Sequence, residues 1–134
     1  MLRGLIVDYY GVLTDVGADP AELPLVDAVA AARAKGLRTA LVSNTDGLDP
    51  EALDWAGLFD AILLSGEVGV GKPDPRIYLL AADRLGLIPE QCVFVDDLRA
   101  NVRGAVQIGM AGVHHTDPAA TLGELEALFG FSLT

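Results

Sequence analysis

The stretch 4-GLIVDYYGVLTD-15 decides how the chain is read. Residues 5–9 make a continuous run rich in branched and aromatic side chains, which predicts a strand buried on both faces. Asp8 stands at the tip of that run, Tyr10 follows two positions later, and Gly11 breaks the pattern. Holding a carboxylate beside so much apolar surface costs free energy unless it has a partner. Asp8 therefore asks for a counter-charge or a chemical task.

Working outward, short apolar runs alternate with longer helical ones. Residues 21–35 are alanine-rich and helical, with Gly36 as the stop. Further strands are expected at 37–44, 61–65, 92–97 and 111–116. A short helix is expected at 50–56, opened by Asp49 and Pro50, and longer ones at 74–86, 98–109 and 120–130. No repeat, low-complexity tract or linker interrupts the series. Strand-helix alternation with continuous apolar strands predicts a single doubly wound α/β domain over 1–134, Rossmann-like. Its five-stranded, mainly parallel sheet would carry helices on both faces. In such sheets ligands bind beyond the carboxyl ends of the strands, near the switch in strand order.

The bulk properties narrow the function. A length of 134 residues suits one domain, and an apolar content of 51% leaves material for a core and for self-association as a homo-oligomer. No apolar run approaches the roughly 18 residues of a membrane span, and the first residues lack a signal-peptide cleavage site. A lone cysteine, Cys92, forms no internal disulfide and suggests a reducing, cytoplasmic setting with the thiol buried. Net charge is −10, which argues against nucleic acid as a partner. It also disfavours anionic small molecules unless a bound cation reverses the local field.

The strand ends carry the chemistry. In order they offer Asp8, then Ser43 and Asn44, then Ser65 and Gly66, then Asp96 and Asp97, with Lys72 in the loop after the third strand. Carboxylates gathered on one rim repel each other unless a cation joins them, and their hard oxygens suit Mg²⁺. Taken singly, each has a plain alternative. Asp97 caps the next helix equally well, Ser43 and Asn44 pass as loop residues, and Lys72 as a solvated lysine. Their order along the chain is what favours a site.

These segments resemble the haloacid dehalogenase-like hydrolase superfamily. "DYYGVL" is similar to its first motif, "ALVSN" to the second, "GKPDPRIY" to the third and "VFVDDLRANVRGA" to the fourth. All four occur in order over nearly the whole chain. The resemblance implies a phosphorylated substrate, with Asp8 as nucleophile forming an aspartyl-phosphate. It implies Mg²⁺ held by Asp8, the backbone carbonyl of Tyr10 and one of the acid pair, Asp96 ahead of Asp97. Ser43 and the Asn44 amide would hold phosphate oxygens, and Lys72 would steady the charge on nucleophile and phosphate.

Tyr10 departs from that pattern, because phosphatases of this superfamily usually carry a second aspartate there. A phenol with a reference pKa near 10 is a poor general acid at neutral pH, and losing such a group costs about 10²–10⁴ in rate. The expected enzyme is therefore slow, or restricted to phosphates with good leaving groups such as acyl or aryl phosphates. Two alternatives stay open. A "DxYG" start also resembles the haloacid dehalogenases, in which no leaving group needs a proton. However, 35 positions from Asp8 to Ser43 and 29 from Ser43 to Lys72 leave no space for their cap domain. The other alternative is a catalytically weak protein that binds Mg²⁺ and phosphate, or a partner.

Lesser features have plainer expectations. His114 and His115 read as structural or solvated, Trp55 as core packing, and Arg99 and Arg103 as exposed. Arg76 lies near the lysine loop, where a substrate contact is open but nothing in the sequence compels it. Asn101 either orients Asp97 or is merely solvated.

Overall fold

The computed structural model describes residues 1–134. Strands β1 (Gly4–Val7), β2 (Arg38–Ser43), β3 (Ala61–Leu64), β4 (Cys92–Asp96) and β5 (Ala111–His114) form one sheet, ordered β3-β2-β1-β4-β5. Every pairing is parallel, with Ile6 of β1 lying between Ala40 of β2 and Phe94 of β4. The helices are α1 (Pro24–Ala34), α2 (Pro50–Leu53), α3 (Ser65–Val68), α4 (Pro75–Arg84), α5 (Arg99–Gln107) and α6 (Pro118–Phe129).

Both faces of the sheet are covered, which is why the strands lack polar alternation. Leu5, Val7, Val93, Val95 and Val113 pack with Leu25 and Val29 of α1 and Leu125 of α6. Ile6, Val42 and Phe94 point the other way, onto Ile77, Tyr78 and Ala81 of α4 and Ala105 of α5. Each large side chain so buried contributes about 1.5–3 kcal/mol relative to exposure. The doubly wound domain expected from the alternation is present, and no cap domain is inserted. Residues 14–23, between the first turn and α1, form an irregular flap.

Element ends shift for identifiable reasons. The first strand stops at Val7 rather than Tyr9, because Tyr9–Leu13 coils into a tight turn with Gly11 at φ +77°. The first helix starts at Pro24, not residue 21, since proline lacks the N–H an interior position needs. The last helix starts earlier than residue 120, because Asp117 accepts from Ala120 N at 2.9 Å and Pro118 fits the first turn. The short second helix ends at Leu53, and a separate turn covers Ala56–Leu58. The loop expected after β3 begins with α3, which Gly69 ends at φ +80°.

The strand order reverses at β1. The chain steps from β1 to β3 on one side and resumes at β4 on the other. The carboxyl ends of β1 and β4 thus flank the switch point, and Asp8 and Asp96 are there.

Candidate active site

Asp8 sits one residue past β1 and is still tied to the sheet, its N–H donating to Val95 O at 3.1 Å. It is 8% exposed. The tight turn that follows exists because Gly11 adopts a left-handed backbone, and a side chain there would also strike the Asp97 carboxylate. The glycine therefore serves both the turn and the space Asp97 occupies.

Lys72 is buried at the centre of the rim. Its Nζ donates to Asp8 Oδ1 at 2.8 Å, to Asp96 Oδ2 at 2.8 Å and to Val42 O at 2.9 Å. An ammonium has three N–H groups, and all three are engaged by the protein. In this arrangement Lys72 supports the carboxylates and has no hydrogen left for a phosphate oxygen, the second role expected of it.

Asp96 is fully buried and fully satisfied. Oδ1 accepts from Leu98 N at 2.9 Å, and Oδ2 accepts from Lys72 and from Asn101 Nδ2 at 3.1 Å. The acid that braces the start of α5 is thus Asp96, where Asp97 was the candidate cap. Asn101, 5% exposed, steadies Asp96 rather than Asp97, and its own carbonyl accepts from the Tyr78 hydroxyl at 2.6 Å. Asp97 lines the open cavity with Asp8, whereas Asp96 does not. The geometry therefore offers Asp97 to a ligand more readily than Asp96, opposite to the order expected.

One carboxylate oxygen from each of Asp8, Asp96 and Asp97 lies within 4.8 Å of the others. A single ammonium does not neutralise three acids. Burial pushes the Asp8 carboxyl up to about 6, with the Lys72 charge opposing and the Asp96 charge adding to the rise. Asp97 is also raised, first by burial and then by its hydrogen bond with Asp96 and that residue's charge. An all-oxygen donor set left short of positive charge fits a hard divalent cation.

The remaining lining residues are Tyr10, Ser43, Asn44, Lys72, Leu98 and Asn101. Ser43 is 1% exposed, and its hydroxyl finds no partner within the protein. Asn44 does something sequence reasoning missed. Its side chain accepts from Lys72 N and donates to Lys72 O, both at 2.9 Å, holding the lysine loop as a second strand would. Tyr10 turns outward, and its hydroxyl donates to Asp49 Oδ2 at 2.7 Å. That hydrogen bond leads the causes that raise the phenol above its ordinary value.

Residues 4–109 match the haloacid dehalogenase-like hydrolase family. The chain belongs to the haloacid dehalogenase-like hydrolases. A crystal structure of an uncharacterized protein from Corynebacterium glutamicum is 40% identical, covers 98% of each chain and superposes with a TM-score of 0.87. A phosphoserine phosphatase from Thermus thermophilus is 39% identical over 116 residues, 75% of this chain and 47% of its own length. An enzyme of this superfamily from Bacteroides thetaiotaomicron, solved with magnesium and inorganic phosphate, shares the fold. It is 15% identical, with a TM-score of 0.63 over 87% of this chain and 95% of its own. The chain spans 12%, 47% and 21% of the first curated relatives it matches.

In this chain the four motif segments meet at the ends of β1, β2 and β4 and in the lysine loop. Residues outside them sort as their surroundings dictate. His115 is buried between Asp15 and Thr121, His114 Nε2 contacts Asp97 O at 3.0 Å, and Trp55 packs partly buried on the core. Arg99 and Arg103 are exposed, and Arg76 pairs with Asp74 at 2.9 Å. No helix is long and apolar enough to cross a membrane.

Proposed function

We propose that residues 1–134 act as one hydrolase core that cleaves phosphate monoesters with good leaving groups, Asp8 being the nucleophile. The observation that carries this reading is the open cavity in which Asp8, Asp97 and the unpartnered Ser43 hydroxyl converge. Asp8 Oδ attacks phosphorus, and the bond to the leaving oxygen breaks with its electron pair. Water then attacks the phosphorus of the acyl phosphate, freeing Asp8 and inorganic phosphate, while its proton leaves to solvent.

Lys72 keeps Asp8 oriented and favours its ionised, nucleophilic form. Ser43 donates its free hydroxyl to a phosphate oxygen, and the Asn44 amide another. Asn44's side chain and Asn101 hold Lys72 and Asp96 in place. Asp8, Asp97 and the Tyr10 carbonyl, with Asp96 behind them, would hold Mg²⁺. That ion supplies charge neutralisation for the phosphoryl group.

Tyr10 supplies no useful acid. Its proton is committed to Asp49, so the leaving group departs unprotonated, which suits aryl or acyl phosphates. A single buried cysteine is consistent with a reducing, cytoplasmic setting. Incubation with Mg²⁺ and BeF₃⁻ tests the reading. A raised Tm that disappears in Asp8→Asn supports it; no shift in the wild type contradicts it. Tyr10→Asp should raise turnover of an alkyl phosphate by about 10² or more, and no gain would contradict the role assigned to this position.

A further inference from the structure

We propose that the mouth of this cavity is a leaving-group site for an uncharged aromatic ring, with Tyr10 as its platform. The proposal rests on the phosphohydrolase reading of Asp8 and adds the class of group that phosphate carries. Six of the eight residues lining the cavity are polar or charged, and the other two, Tyr10 and Leu98, are its apolar walls. These are 49% and 59% exposed, so both present apolar surface at the edge of a site of acids and amides. Both follow residues that carry the chemistry, Tyr10 two positions after Asp8 and Leu98 directly after Asp97.

The ring of Tyr10 is held rather than loose. It stands edge-on to Tyr9, with centroids 4.6 Å apart and planes at 81°. Tyr9 in turn leans on Trp55 at 5.8 Å, and the Tyr10 hydroxyl is anchored on Asp49. A ring fixed at its back and its tip loses little freedom when a ligand stacks on it, so the ordering cost falls on folding, not on binding. Aromatic rings add favourable offset or edge contacts to the area they bury.

The charges around the mouth disfavour an anionic leaving group. Asp49 touches Tyr10, and Glu51 lies close enough to help raise both tyrosines. The one cation lining the cavity, Lys72, spends all its N–H groups on Asp8, Asp96 and Val42. A carboxylate on the leaving group would meet the Asp49 and Glu51 charges beside Tyr10, and the cavity lining offers it no free N–H from Lys72.

Calorimetric titration of the full chain with Mg²⁺ tests this, using benzylphosphonate, methylphosphonate, phosphonoacetate and inorganic phosphate. The first should bind about tenfold more tightly than the second, and phosphonoacetate more weakly than either at low salt. Tyr10→Ala should bring benzylphosphonate to within about twofold of methylphosphonate, while Tyr10→Phe, which keeps the ring, retains most of the preference. Equal wild-type affinities for the benzyl and methyl compounds, or a preference that survives Tyr10→Ala, would overturn the aromatic site alone. Failure of every phosphonate and of inorganic phosphate to bind would overturn the phosphohydrolase reading with it.

Discussion

Two buried polar clusters lie at the carboxyl ends of the strands, and they differ in how their charge is settled. After β5, His115 is 3% exposed, with Nδ1 2.6 Å from Thr121 Oγ1 and Nε2 2.8 Å from Asp15 Oδ2. Each ring nitrogen has one partner, and the cluster lines no cavity. Between β1 and β4, Lys72 faces two carboxylates, with a third beside them and open space above. The histidine cluster ties the flap to α6 and is complete. The lysine cluster sets one ammonium against three carboxylates and is two positive charges short, and that shortfall makes it a place where a cation and an anionic group together lower the free energy.

The largest effect expected from this contrast follows loss of the lysine. Lys72→Met leaves two buried carboxylates unpaired and should lower stability by about 3–5 kcal/mol in urea unfolding with EDTA. Added Mg²⁺ should recover part of that loss. A change under about 1 kcal/mol would mean that Lys72 is not the electrostatic centre of the rim.

Asp8 should behave in the opposite sense. Its folded pKa is raised to about 6 from 3.8. Below pH 4 it is protonated folded and unfolded alike, so nothing is lost. From pH 4 to pH 6 the unfolded chain ionises Asp8 while the folded chain retains the proton, so stability falls as pH rises. In EDTA, Asp8→Asn should therefore become more stable than the wild type over this window. The gain should reach at most about 3 kcal/mol near neutral pH, two pKa units at 1.36 kcal/mol each. A gap between the two proteins that does not vary with pH would contradict the assignment.

The smallest effect belongs to the complete cluster. His115→Ala should cost about 1–3 kcal/mol by orphaning Thr121 and freeing Asp15, yet leave aryl phosphate turnover within about twofold. A tenfold loss of turnover at full folding would tie this cluster to the site and dissolve the contrast.

Much of the arrangement is legible in the residue order, and what is not has physical causes. The sheet follows from continuous apolar strands, and Asp8, Ser43, Lys72 and Asp97 reach one cavity because each ends or follows a strand on the carboxyl side of the parallel sheet. The side-chain clamp of Asn44 on Lys72 spans 28 positions and has no local signature. The same holds for Asp49, which reaches Tyr10 across 39 positions from the start of α2. Asp96 and Asp97 are neighbours in sequence, and only the strand pleat decides which turns inward to Lys72 and which toward the cavity. Asp117-Pro118 was locally legible, being the same helix-start signal as Asp74-Pro75, although the expected helix began two residues too late.

The most direct test of the central claim is hydrolysis of p-nitrophenyl phosphate, whose leaving group scarcely needs an acid, by wild type and Asp8→Asn in Mg²⁺ and in EDTA. Turnover by the wild type that disappears both in EDTA and in Asp8→Asn is the predicted result. Undiminished turnover by folded Asp8→Asn, or none by folded wild type with Mg²⁺ bound, would contradict it.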